Sequence, residues 1–455
     1  MSSDTQKLDV IIVGAGLAGL YAARLLTQQG KRVHVIEAQD RVGGRTLSGT
    51  FGAHKGDLGG QWIGAKHHTM RKLIAELGLY TTPTHTQGRK LIETGGKISS
   101  YTGTIPKVSP LALIDVQLAM TRLERIAKRI PHDRPASTPE ARRLDALSVA
   151  AWRTQHMRTA AARDMLDAAV RSVFCVEPEE LSMLFFLHHI QAGGGLQQAI
   201  EAEGGAQQDV IIGGAQQVSL RMAKDLGDRI TLQAPARRIQ QDDHGVTVYS
   251  DHGATWNAQR AIIAIPPHMI PRIDFSPALP AQLDQHLQRS AMGASIKFLA
   301  TYKRPFWREQ GLSGEFAGNG GPVQLTFDAC AADGSTFALV GFIMGRAARQ
   351  ASALTPTLRR AEVLADLGRI FGPQAHSPLG YWDKDWLSEP WTRGCPVASH
   401  ATGTLSQTSV TPPSTGLIHW IGTECSGFCP GYMEGAVQSA GALCGSGAAL
   451  RLASL

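Results

Sequence analysis

The apolar run Asp-Val-Ile-Ile-Val at residues 9–13 is short and β-branched, which predicts a buried parallel strand. Glycines follow. Leu17 to Gln29 then space their apolar residues at a helical period, and Lys31 to Glu37 (KRVHVIE) predict a second strand, so the chain opens as a βαβ unit. Residues 67–78 predict a helix. Ala, Leu, Arg and Gln dominate from about 110 to 200, a helical block interrupted at Pro131, Pro135 and Pro139. The pattern changes near 209. RITLQA and GVTVYS, within 229–250, predict two strands joined by the polar turn Gln241 to Gly245. Strands are predicted at 260–265, where Pro266-Pro267 stop the run, at 295–302 and at 337–344, with a helix over 357–371. The last stretch repeats the opening texture: a strand at 417–421, a Gly-rich turn, and a helix from about 431. No internal repeat or low-complexity tract interrupts this order.

Composition narrows the class. The 455 residues are 43% hydrophobic and 18% charged, a folded chain long enough for more than one core. Lys plus Arg exceed Asp plus Glu by 45 − 38 = 7, but the basic residues are scattered, and Arg237-Arg238 and Arg359-Arg360 are isolated pairs. That reads as a mildly basic surface with no nucleic-acid partner. The six cysteines at 175, 330, 395, 425, 429 and 444 lack disulfide-scaffold density, and no second metal-spaced pair accompanies Cys425 and Cys429, so no metal is expected. The first residues, MSSDTQK, hold no apolar signal core. Residues 435–455 are broken by Gly, Ser, Gln438 and Arg451, so no membrane span is expected, and the thiols fit a cytoplasmic protein.

Candidate chemistry begins at Gly14-Ala15-Gly16-Leu17-Ala18-Gly19, between the first strand and the first helix. Gly14 permits the tight turn, Gly16 lets backbone approach a pyrophosphate, Gly19 allows close packing, and the helix N-terminus favours phosphate charge. Glu37 ends the second strand, where a carboxylate can accept from ribose hydroxyls. This motif alone does not separate FAD from NAD.

The following residues do. Glu37-Ala38-Gln39-Asp40-Arg41-Val42-Gly43-Gly44-Arg45-Thr46 and Asp57-Leu58-Gly59-Gly60-Gln61-Trp62 resemble the signatures of the flavin-containing amine oxidases, a family that includes monoamine, putrescine, cyclohexylamine and nicotine oxidases. The resemblance runs along nearly the whole chain. It implies an α/β fold in which a Rossmann-like FAD domain (1–84, 209–291 and 389–455) is interleaved with an α+β substrate domain, helical over 85–208 and stranded over 292–388.

The resemblance also assigns residues. Arg45 would approach the FAD phosphates, which need a counter-charge beyond a helix dipole. Gly60, Gln61 and Trp62 would run along the flavin, and Ala236 would meet the adenine. Lys297, in Ala-Ser-Ile-Lys-Phe, matches the lysine that holds a water near flavin N5; strand alternation alone would leave it in solvent on an edge. Gly422-Thr423-Glu424 and Gly431-Tyr432-Met433-Glu434-Gly435-Ala436 match a second flavin segment, with Glu424 and Met433 beside the flavin and Tyr432 as one wall of an aromatic cage. The position of the second cage tyrosine holds Pro396, which leaves Trp386 or Trp391 to replace it; Trp386 is the preferred candidate. Cys395 falls where monoamine oxidases bind FAD through sulfur, so a covalent link and a buried unreactive thiol both stand. His188 and His189 lie on the helix resembling the substrate-access wall, either as readers of a polar substrate or as packing residues.

The implied reaction takes a hydride equivalent from the α-carbon of a small neutral amine to the flavin; the imine hydrolyses, and O2 reoxidises the flavin to give hydrogen peroxide. A flavin dehydrogenase with a protein electron acceptor, an L-amino-acid oxidase and a non-catalytic FAD-binding protein are the rivals. Which amine is used stays open, as does oligomeric state, a homodimer being one option.

Overall fold

The computed structural model describes residues 8–103, 107–251, 253–410 and 412–445. Part of the stretch 435–455, expected not to span a membrane, lies outside them. No described helix is long and apolar enough to cross one.

The architecture is mixed α/β. The predicted βαβ opening is present as Leu8–Val13, the helix Leu17–Gln28 and Val33–Ile36. Leu8–Val13 lies between Val33–Ile36 and Thr255–Ile263, parallel to both, with Val10 opposite Val33 and Val13 opposite Ile263. Ile418–Trp420 adds a further parallel strand against Ala261–Ile263. Residues 10–13, 261–263 and 418–420 of these strands are buried on both faces, which is why they read as apolar runs, whereas Thr255, Asn257 and Gln259 are exposed. The chain's start, middle and end thus meet in one eight-stranded sheet. The helix Met433–Cys444 packs on the same core, Val437 and Ala440 joining Leu20 and Ala23.

The hairpin expected over 229–250 is shifted. Its first strand is Ala236–Asp242, antiparallel to Gly245–Ser250, whereas RITLQA contributes only Ile230–Thr231, parallel to Val35 and Ile36. Of Ala236–Asp242 (ARRIQQD) only Ile239 is fully buried, and Ala236 is the only other apolar residue, so it carries little apolar signal; sheet pairing made it a strand.

A second sheet has seven strands, and Ser295–Tyr302 lies inside it between Gly380–Asp385 and Phe337–Met344. All eight of its residues are buried. Ile296, Phe298 and Ala300 pack with Val363 and Leu367 of the helix Pro356–Phe371, while Leu299 faces Leu58 and Val340 across the other side. Lys297 shares the parity of Leu299, so it points toward the segment around Leu58, and the expectation of an edge position does not hold.

Residues 85–208 are largely helical, as expected, but Arg89–Thr94 and Lys97–Tyr101 form a hairpin that joins the second sheet. Helix starts follow local chemistry. Ser109 and Thr355 each precede a proline at the first helical turn, and their hydroxyls accept from Ala112 and Leu358. Such caps stabilise a helix by about 1 kcal/mol each. The helix Met183–Ala192 is buried on nearly every side and runs to Gly193.

Candidate active site

Two clefts meet at one turn. The first, of about 1240 Å³, is lined by Gly14, Gly16, Glu37, Ala38, Gly44 and Arg45, and across from them by Ala236 and Trp391. Gly14 has φ +108°, and a β-carbon there would stand 2.9 Å from the Ala264 carbonyl oxygen. A β-carbon on Gly19 would collide with the Gly14 carbonyl, whereas one on Gly16 meets nothing and would project into open space. Glu37 is buried. Its carboxylate accepts from the amides of Ala15 (2.7 Å) and Gln39 (2.9 Å), and burial pushes its pKa up against those bonds. Ala15 and Gly19 do not line the cleft; they shape the turn that does.

Arg45 donates to Glu424 (2.5 and 3.0 Å) and to the Pro396 carbonyl (2.7 Å). Glu424 lines neither cleft. It sits behind Arg45, where the guanidinium overcomes desolvation and holds its carboxyl below the usual range. Arg41 braces the same loop through the carbonyls of Gly44 and Thr46.

The second cleft, of about 1830 Å³, is lined by Gln61, Trp62, Lys297, Trp386 and His189 among others. Gly60, Cys395, Pro396, Gly431, Tyr432 and Met433 line both clefts. Residues far apart in sequence therefore converge on one junction.

Lys297 Nζ donates to the Gly59 carbonyl (2.8 Å) and to Gln61 Oε1. It lies 5.4 Å from the ring centroids of both Trp62 and Phe342. Burial lowers its pKa to about 8, with Asp57 opposing. Asp57 is itself raised to about 6 by burial; it accepts from Ser48 and from the Ala215 amide, anchoring the start of the 57–62 segment. Trp386 is 1% exposed and donates from Nε1 to the Leu58 carbonyl at 2.8 Å. Trp391 is in the first cleft, under Arg237, so it does not take the place of the second cage ring. Tyr432 meets His67 edge-on at 5.3 Å. Burial pushes Cys395 up to about 11, opposed by Arg45 and Lys297.

Sequence reasoning missed several groups. Glu434, fully buried, accepts from the amides of Thr69 and Met70 and so caps the helix His68–Glu76 from another part of the chain. At the far end of the second cleft Lys90 pairs with Glu315 (3.1 Å) and Glu201 (3.6 Å), with Tyr101 alongside. An acid inside the strand Leu312–Ala317 was a legible signal for Glu315. Lys90 and Glu201 carried none.

The glycine turn, the acid closing the second strand and the adjoining cavity define a dinucleotide-dependent oxidoreductase. The family described as flavin containing amine oxidoreductase matches residues 17–444, and the chain belongs to it. A Dictyostelium discoideum protein described as a probable flavin-containing monoamine oxidase A is 37% identical over 435 residues, 95% of each chain. A solved structure of putrescine oxidase bound to putrescine superposes with a TM-score of 0.92 at 33% identity, covering 98% of this chain and 99% of that one. Cyclohexylamine oxidase from Brevibacterium oxydans IH-35A gives 0.91 at 32% identity, covering 96% and 99%.

The protein is a flavoenzyme of this family, and its first cleft fits FAD. The helices Leu17–Gln28 and Met433–Cys444 both begin at this cleft without a side-chain cap, leaving amide donors for an anionic ligand. Gly16 leaves open the space a side chain would fill, and the Glu37 carboxylate retains acceptor capacity for ribose hydroxyls.

Proposed function

We propose that the enzyme oxidises a small amine to an imine, which water hydrolyses to an aldehyde or ketone, with O2 as electron acceptor and hydrogen peroxide as product. The observation that carries this is the shared junction: the nucleotide cleft opens onto the second cavity across Gly60, Cys395, Pro396 and Gly431 to Met433. FAD, when bound, would supply the acceptor for a hydride equivalent from the carbon bearing the amine, the nitrogen losing a proton as the C=N bond forms, with both electrons and both protons passing on to O2 as hydrogen peroxide.

The chain's own residues hold and orient. Gly14, Gly16, Glu37, Ala38, Gly44, Arg45 and Ala236 contact the dinucleotide, with Ala15, Gly19 and Glu424 shaping those contacts. Gly60, Gln61, Trp62, Cys395 and Met433 border the flavin. Tyr432 forms one wall for the amine and Trp386 another. Lys297 Nζ is a buried donor fixed by Gly59 and Gln61. Glu93, Asp164, Glu201 and Glu315 line the cavity against Lys90 and Lys297, an acidic balance that suits a cationic substrate. A substrate carboxylate would meet those acids, which favours an amine over an amino acid.

The division into an FAD domain and a substrate domain is supported by the sheets. Among the described residues the eight-stranded sheet draws its strands only from 1–84, 209–291 and 389–455, and the seven-stranded one only from 85–208 and 292–388, while smaller sheets hold the remaining strands. Six free cysteines support a reducing, cytoplasmic setting. Attachment at Cys395 is separated by acid precipitation: flavin in the pellet means a thioether, and flavin in the supernatant a free thiol.

The test is an absorbance spectrum of the purified protein during addition of an amine panel. Anaerobic bleaching by one amine, then recolouring in air with peroxide, is expected. Bleaching with slow recolouring in air, accelerated by an added protein acceptor, replaces the oxidase with a dehydrogenase. No bleaching by any amine refutes the reading.

A further inference from the structure

The helix Pro110–Ala127 turns two unlike faces to its surroundings. On the inner face Ala112, Ala119, Leu123 and Ala127 are buried, the last three in one core with Leu166 and Val170 of the helix Ala160–Phe174. Asp115 closes this contact, accepting at 2.7 Å from the amides of Arg158 and Thr159. The outer face takes no part in that core.

On the outer face Leu111, Ile114 and Leu118 are 71%, 57% and 51% exposed. A single exposed leucine is ordinary. These three are spaced by three and four residues, so they stand one above another along one line of the helix. The same spacing continues to Arg122 and Arg125, both exposed, and the exposed Lys128 and Arg129 follow where the helix ends. One line of surface is therefore aliphatic in its first half and cationic in its second.

The cations are not neutralised by the fold. Arg122 donates to the His156 carbonyl at 3.3 Å, and among the described residues no carboxylate forms a salt bridge with Arg122, Arg125, Lys128 or Arg129. Glu124 is the only exposed acid of the helix, and a residue adjacent in sequence to Arg125 does not share its face.

Charge and shape together select what covers this line. A second copy docking through the same face would bring more arginines and no acid to meet them. A protein partner needs a shaped surface of about 800 Å² on each side, far more than three aliphatic side chains in a row supply. A fluid bilayer needs no shape match. Its acyl boundary accepts the aliphatic half, and its phosphates meet the cationic half.

We propose that this face is a peripheral docking surface for an anionic lipid bilayer. Leu111, Ile114 and Leu118 enter the acyl boundary, and Arg122, Arg125 and Arg129 hold headgroup phosphates. The chain lies on the membrane through this helix and does not cross it there. The helix packed beneath, Ala160–Phe174, carries Asp164, Met165, Ala168 and Ala169 on the wall of the second cavity. Helices pack about 10 Å apart, so the docked enzyme holds that wall close to the lipid. None of this depends on which substrate the cavity takes.

The test is cosedimentation of the FAD-loaded enzyme with large vesicles, either equimolar phosphatidylcholine and phosphatidylserine or phosphatidylcholine alone. The enzyme is expected to pellet with the anionic vesicles at low salt, to leave them as salt is raised, and to stay in solution beside the neutral ones. The variants Leu111→Gln/Ile114→Gln/Leu118→Gln and Arg122→Gln/Arg125→Gln should each weaken binding about tenfold, with Tm and peroxide release in solution at their wild-type values. Absence of pelleting with anionic vesicles overturns the proposal. Equal pelleting with neutral vesicles overturns it too, because the arginines then select nothing. Pelleting that both variants retain assigns the binding to another surface. A wild-type dimer in analytical ultracentrifugation that becomes a monomer in the leucine variant makes the face a contact between copies and overturns the lipid assignment.

Discussion

Arg45 and Glu424, 379 residues apart, form a two-pronged ion pair beneath the junction of the two clefts, and the same guanidinium reaches the carbonyl of Pro396. Glu424 thereby orients the arginine at the nucleotide cleft and ties residues 45, 396 and 424 together. Glu424→Ala leaves a buried guanidinium without its partner, which should cost about 3 kcal/mol of stability. It should also lower FAD retention, read as the ratio of flavin to protein absorbance after gel filtration. Unchanged Tm and unchanged flavin content would show that the pair has no such role.

The glycines of the first turn should separate folding from cofactor binding. Gly14→Ala meets both a left-handed backbone and the Ala264 carbonyl, a strain of about 1–3 kcal/mol or more, and should lower the Tm of the FAD-free protein. Gly16 has an ordinary φ of −73° and open space before it. Gly16→Ala should therefore fold normally and bind FAD weakly. Fluorescence titration with FAD and thermal denaturation without it measure the two effects separately.

Lys297 should be visible in a pH profile. With its pKa lowered to about 8, the amine is protonated below that pH and neutral above it. The anaerobic rate of flavin reduction or the rate of reoxidation should change through a limb near pH 8. Lys297→Met should remove that limb and slow the affected half-reaction by about 100-fold. A limb that persists in the variant assigns the ionisation to another group or to the substrate.

The acidic far end of the cavity should read the tail of the substrate. Glu315 is held by Lys90 at 3.1 Å. Glu315→Gln removes one negative charge and should raise KM for a diamine by about tenfold relative to a monoamine of the same length. An equal change for both would assign Glu315 a structural role.

Local sequence sufficed where one segment carried its own signal. The buried segments 10–13 and 261–263 of the first sheet are apolar on both faces and announce themselves as runs, while the polar start of Thr255–Ile263 does not; the strands Ser295–Tyr302 and Phe337–Met344 were legible to the residue. The Gly14–Gly19 turn combines glycine spacing with the strand before it and the helix after it, so its chemistry was readable too. The strand Ala236–Asp242 was not, because its polar residues owe their conformation to Gly245–Ser250. Lys297 is the clearest division. Sequence identified the residue through its resemblance, while strand alternation predicted solvent. Only the sheet order, which places strands on both sides of it, explains why it is buried beside Gly59 and Gln61. The split between His188 (at the His132 carbonyl) and His189 (in the cavity wall), the position of Glu424 behind Arg45, and the Lys90–Glu315–Glu201 cluster were likewise settled by tertiary packing. The sequence determined the cofactor class and the local elements because those depend on neighbouring residues. The tertiary structure decided which side chains face one another across the clefts, because those contacts join residues hundreds of positions apart.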